Sequence, residues 1–106
     1  MAYQFNEATI VDIKDETEKV KRYFIKVPDE IPFSFKAGQF IMLDLPIDSK
    51  YTNRSYSIAS APSNDNIFEL CIVLNEKGLG TPYMWENFKV GTKVNISKVL
   101  GKFQLP

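Results

Sequence analysis

Ile67-Phe68-Glu69-Leu70-Cys71-Ile72-Val73-Leu74 is the stretch on which the reading of the fold turns. Side chains along a strand alternate between two faces, so Phe68, Leu70, Ile72 and Leu74 share one side, opposite Ile67, Glu69, Cys71 and Val73. The first face is wholly apolar, which is the pattern of a half-buried strand. Working outward, Thr9 to Ile13, Val20 to Val27, Gln39 to Leu45, Ser55 to Ser60 and Lys93 to Val99 carry the same enrichment in β-branched and aromatic residues. With Ile67 to Leu74 they make six strands. Asp15-Glu16-Thr17-Glu18, Pro28-Asp29-Glu30, residues 46–53 and residues 62–66 read as loops. One helix is signalled, with Thr81 as N-cap, Pro82 in the first turn, and Gly91 as terminator after Phe88. The expected fold is all-β: a six-stranded antiparallel Greek-key barrel, which leaves no long exposed edge, with one short helix after the fifth strand.

Composition narrows the chemistry. A chain of 106 residues is expected to form one domain, 1–106. Thirteen basic residues balance thirteen acidic ones, so no overall field draws the protein to nucleic acid or to an anionic membrane. There is no histidine, which removes the commonest general base and transition-metal ligand. Cys71 is the single cysteine, so no intramolecular disulfide and no cysteine cluster for zinc or iron–sulfur can form. The N-terminus lacks the basic-then-apolar pattern of a signal peptide, and no apolar run approaches the ~18 residues of a membrane span. These features lead us to expect a cytoplasmic protein without membrane insertion.

The chemistry concentrates at Arg54-Ser55-Tyr56-Ser57. In a strand Arg54 and Tyr56 point to one side and Ser55 and Ser57 to the other. A guanidinium grips phosphate oxygens bidentately and a phenol ring offers a stacking platform, a pairing that suits a flavin nucleotide. Further along, Gly78 and Gly80 precede the helix. Glycines let backbone N–H groups turn toward a ligand, and a helix start attracts phosphate through its unpaired N–H groups and dipole. Pro82 removes one such donor, leaving Tyr83 and Met84 as the expected ones.

The tetrad continues as Ile58-Ala59-Ser60-Ala61-Pro62 and is preceded by Ala37-Gly38-Gln39-Phe40-Ile41-Met42-Leu43. Together with Lys77-Gly78-Leu79-Gly80-Thr81-Pro82-Tyr83-Met84 and Gly101-Lys102-Phe103-Gln104-Leu105, these segments resemble the flavin-binding barrel domain of the ferredoxin reductase family, in the family's order and over essentially the whole chain. One departure lies at Ser97-Lys98-Val99-Leu100-Gly101, where the family more often has Ser-Gly-Pro before the final glycine. The resemblance implies that Tyr56 stacks on the isoalloxazine, Ser57 hydrogen-bonds near its N5, and Arg54 holds the pyrophosphate with Gly78, Gly80 and Thr81. It also implies that the backbone of Ile72, Val73 and Leu74 meets the pyrimidine edge, and that Ser55 belongs to the binding strand.

The cofactor implied is FAD, with FMN as the shorter alternative used by some relatives. NAD(P)H would act only through an α/β domain that the family places after the barrel, and no Gly-rich turn after a parallel strand occurs here. The chain is thus expected to be the flavin-binding part of an oxidoreductase, not competent by itself, serving a protein or small-molecule electron donor or acceptor. A non-redox barrel that stacks oligonucleotides on its aromatics is the competing class, disfavoured by zero net charge and only two arginines, Arg22 and Arg54.

Overall fold

Phe5–Thr17 (β1) and Val20–Lys26 (β2) form a long antiparallel hairpin. Its register slips between Ile10 and Asp12 and again between Asp15 and Thr17, the mark of bulges that bend a strand. The computed structural model describes residues 5–31, 35–36, 39–47, 50–60, 65–97 and 99, with the backbone alone at 50–53. A second hairpin pairs Phe40–Ile47 (β3) with Lys50–Ser57 (β4). Ile67–Val73 (β5) lies antiparallel to β2, and Lys93–Ser97 (β6) is inserted between β1 and β3. The single sheet therefore runs β4-β3-β6-β1-β2-β5, a Greek-key order in which the last strand returns beside the first. Gly80–Asn87 (α1) follows β5, as the sequence predicts.

All six strands appear, three of them longer than expected. The loop read at Asp15-Glu16-Thr17-Glu18 is mostly strand, because β1 runs on to Thr17 and turns tightly into Val20. Its polar side chains are exposed on a projecting hairpin, where polarity does not oppose extension. Of residues 46–53, also read as a loop, 46–47 and 50–53 are strand. Pro46 fits because the Ile58 N–H bonds Gln39 O in the same ladder, so odd-numbered β3 positions exchange bonds with β4 and Pro46 has no donor to lose on that side. Of residues 62–66, only 65 and 66 lie among the described residues, where Asn66 takes a positive φ of 59° and its amide donates to the carbonyls of Val27 and Pro28. Ala37-Gly38, most of Ser97 to Gly101, and Gly101 to Leu105 fall outside the described residues.

The inward faces build one core, in which Ile10, Ile25, Ile41, Leu43, Phe68 and Leu70 are fully buried and Met84 of α1 closes one end. Burying each such side chain is worth about 1.5–3 kcal/mol, which makes this face of the sheet the main stabilising element. β5 keeps the predicted alternation with one exception. Glu69 lies on the outward face yet is only 8% exposed. Arg22, across the ladder from β5, donates to both carboxylate oxygens through Nε and Nη2, with Nη2 at 2.9 Å from Oε1, and its third nitrogen, Nη1, reaches Glu16 at 3.0 Å. A buried carboxylate is tolerated because it is paired and doubly hydrogen-bonded.

The sheet closes toward a barrel at one place. β4 and β5 are its terminal strands, joined by a single antiparallel bridge between Ile58 and Leu70. There the Ala59 N–H donates to Glu69 O at 2.8 Å and the Glu69 N–H to Ser60 Oγ at 3.0 Å. Beyond the bridge the two strands part.

Candidate functional site

The parted strands and the start of α1 converge on the residues singled out in the sequence. Which backbone groups face the seam follows from the ladders. Leu74 N–H bonds Lys19 O, so Phe68, Leu70, Ile72 and Leu74 exchange bonds with the β2 side, and Cys71 and Val73 point theirs toward β4. On β4 the same argument assigns Arg54 and Tyr56 to β3, leaving Ser55 and Ser57 to face β5. The seam is thus edged by the backbone N–H and C=O groups of Ser55 and Ser57 on one side and of Cys71 and Val73 on the other. Of Ile72, Val73 and Leu74, Val73 alone turns its backbone to the seam; Ile72 is core, and the Leu74 N–H is taken by Lys19.

Side chains alternate the other way. Arg54 and Tyr56 are half-buried on the inward side, whereas Ser55 and Ser57 are exposed on the outer one. Burial pushes the Tyr56 phenol up and the nearby Arg54 guanidinium pulls it down, the first effect being the larger. Arg54 lies against the first residue of α1. A Cβ at Gly80 would come within 3.1 Å of Arg54 Cγ and Nε, so a glycine is what lets the guanidinium stem rest there. Arg54, Tyr56, Asn75, Gly78, Leu79, Gly80 and Thr81 line a cavity of about 190 Å³.

The helix start differs from the sequence reading. Leu79, not Thr81, is the N-cap, and no side chain caps the helix. Thr81 lies inside the first turn with its hydroxyl tied to Asn75, accepting from that N–H at 2.7 Å and donating to that carbonyl at 3.3 Å. The shift comes from Asn75, whose backbone competes for the hydroxyl and whose carbonyl and amide oxygens also receive the Gly78 and Lys77 N–H groups, folding 75–78 into a compact turn. Tyr83 N–H already bonds Leu79 O at 3.4 Å, so Tyr83 and Met84 are not the available donors. The N–H groups of Leu79, Gly80 and Thr81 precede Tyr83, the first intrahelical donor, and are the donors at the helix start. Gly91, read as the terminator, sits three residues past the C-cap Phe88, in a turn at φ +95°. Sequence reasoning missed Asn75 and Leu79; a polar residue three positions before a glycine is the turn signal that could have flagged the first.

A fixed cation, helix-start N–H groups and an aromatic ring around one cavity fit a phosphate-bearing aromatic ligand. Residues 7–105 match the family described as oxidoreductase FAD-binding domain. The chain belongs to this family, and its cofactor is FAD. It is 35% identical over 97 residues to the phenol hydroxylase P5 protein of Acinetobacter pittii, covering 92% of this chain and 26% of that protein. It is also 35% identical over 78 residues to ferredoxin–NADP reductase B of Sorangium cellulosum, covering 74% of this chain and 32% of that one. Among solved structures, the ferredoxin NADP+ reductase of Neisseria gonorrhoeae with bound FAD and NADP superposes with a TM-score of 0.78 at 27% identity, over 92% of this chain and 39% of its own. The chain spans about a quarter to a third of the lengths of the curated relatives it matches. Among the described residues, no helix is long and apolar enough to cross a membrane.

Proposed function

We propose that these 106 residues hold FAD within an NAD(P)H-dependent reductase that passes electrons between a nicotinamide cofactor and a redox partner. The observation that carries this is the packing of Arg54 on Gly80 beside Tyr56 at the mouth of one cavity. Arg54 and the N–H groups of Gly80 and Thr81 would hold the pyrophosphate, while Gly78 leaves the approach free of side-chain bulk. Tyr56 would support the ring. Val73 would offer its backbone to the pyrimidine edge, and Ser57, whose hydroxyl is exposed on the outer face, would meet the ring's N5 side through its backbone N–H. FAD, when bound, supplies the hydride and single-electron chemistry; the chain's part is to bind, orient and shield it.

The nicotinamide site and the redox partner's docking surface belong, in this proposal, to parts of the reductase outside these residues. All ladders among the described residues are antiparallel, whereas a dinucleotide-binding turn follows a parallel strand. Titrating the purified chain with FAD, FMN and riboflavin tests the reading. A yellow protein that binds FAD and FMN well above riboflavin is expected, since riboflavin has no phosphate for Arg54. A chain that binds none of the three, or prefers riboflavin, overturns it.

A further inference from the structure

One buried group has no part in the site as described. Tyr23 of β2 is 0% exposed, and its hydroxyl is buried with no hydrogen-bond partner among the described residues. Burying an unpaired hydroxyl is unfavourable, and a core position could hold phenylalanine without that penalty. The ring stands edge-on against Trp85 of α1 and against the C-cap Phe88, with centroids 6.2 and 5.6 Å away. Register then places it relative to Tyr56. Tyr23 faces Leu70 across the β2–β5 ladder, Leu70 faces Ile58 across the seam bridge, and Tyr56 precedes Ile58 by two residues on the same strand face. Cross-strand partners share a face, so Tyr23 and Tyr56 both project from the inward face of the sheet. The Tyr23 phenol is pushed up first by burial, then by Asp15 and by Tyr56.

Tyr23 therefore touches the cavity-lining helix at its C-terminal end and shares the inward face of the sheet with the Tyr56 ring. We propose that Tyr23 is a positioning residue, its buried hydroxyl hydrogen-bonding the Tyr56 hydroxyl in the FAD-bound protein so that platform and cradle helix are held as one unit. The inference rests on the FAD-binding reading above. It gives the unpaired hydroxyl a partner that ligand binding brings into place.

The test uses Tyr23→Phe, Tyr56→Phe and the double variant, with FAD titrations followed by flavin fluorescence and with thermal melts. Both single variants keep their rings and lose one hydroxyl each. Each should weaken FAD binding by about 3- to 10-fold and leave the bound flavin brighter, as one net hydrogen bond would. The double variant should lose no more than either single one. Thermal stability of Tyr23→Phe should equal or exceed that of the wild type. Unchanged affinity and brightness in Tyr23→Phe would show that the hydroxyl is only a cost of burial. Additive losses in the double variant would show that Tyr23 acts without Tyr56. Should Tyr23→Phe not fold, Tyr56→Phe decides alone, since wild-type affinity there overturns the link. A wild-type chain that binds no FAD removes the functional reading and this inference together, an outcome distinct from the failure of Tyr23→Phe alone.

Discussion

Arg22 and Arg54 are the chain's only arginines, both on strands and both half-buried, yet they do opposite things. Arg22 lies on the outer face, clamped between Glu69 and Glu16, and fastens β2 to β5. Arg54 lies on the inner face against Gly80, beside a cavity edged by backbone donors. A guanidinium beside two carboxylates stabilises a fold, while one laid over a glycine at a helix start can serve a ligand. Side-chain type was the same in both cases, and the neighbours decided the role.

The contrast can be broken most forcefully at Gly80. A valine there would meet Arg54 within 3.1 Å, and because the obstructing atoms belong to a flexible side chain the fold should survive while the guanidinium is displaced. FAD affinity is expected to fall about 100-fold or more, combining loss of the charged contact with obstruction of the backbone donors. Isothermal titration with circular dichroism on Gly80→Val measures both, and retained affinity would detach Arg54 from the cradle. Arg54→Ala removes the cation alone and should weaken FAD by about 10- to 100-fold, ~1.5–3 kcal/mol, with little change in melting temperature and almost no effect on riboflavin.

Arg22→Ala should show the reverse pattern: a lower melting temperature, because Glu69 is left buried without its partner, and FAD affinity close to wild type once the protein is folded. Arg22 is therefore a poor neutral control for Arg54, and exposed Lys77 is a better one. Thr81→Val, measured by the same titration, is a milder test of the cradle. It removes the tie to Asn75 and should cost FAD binding about 3- to 10-fold through a loosened 75–81 turn.

The smallest expected effect sharpens the comparison with an acidic group that neither arginine serves. Burial raises the Asp44 carboxyl above its ordinary value of 3.8. A raised carboxyl means the folded state binds the proton more tightly than the unfolded one, so stability from this group declines as pH rises through that window and stays lower above it. Asp44→Asn should melt slightly higher than wild type at pH 7, with the gap closing as pH falls toward 3.8. A gap that widens on acidification would mean that Asp44 is paired in the folded protein.

Much of this was legible in the chain. Six strands and the helix after the fifth could be read because local patterns specify them: the alternation of Phe68, Leu70 and Ile72, the β-branched runs, and glycine with proline at the helix start. Arg54, Tyr56, Gly78, Gly80 and Thr81 could be nominated because a cation, an aromatic ring and a glycine turn have definite chemical uses. Thr81 was misread as a cap because its hydroxyl had a competitor, Asn75, that only the folded turn brings close. Glu69 read as an ordinary outward residue because burial by Arg22 depends on a partner 47 positions away in sequence.

What the sequence determined by itself, then, is the set of elements and the chemical character of the site, since both depend on residue type and short spacing. Tertiary structure alone decided which backbone groups face the seam, which arginine pairs with carboxylates and which lies against Gly80 beside the cavity, and that the Tyr23 hydroxyl lies buried. Those outcomes follow from strand register and sheet closure, which join residues tens of positions apart and leave no local trace in the chain.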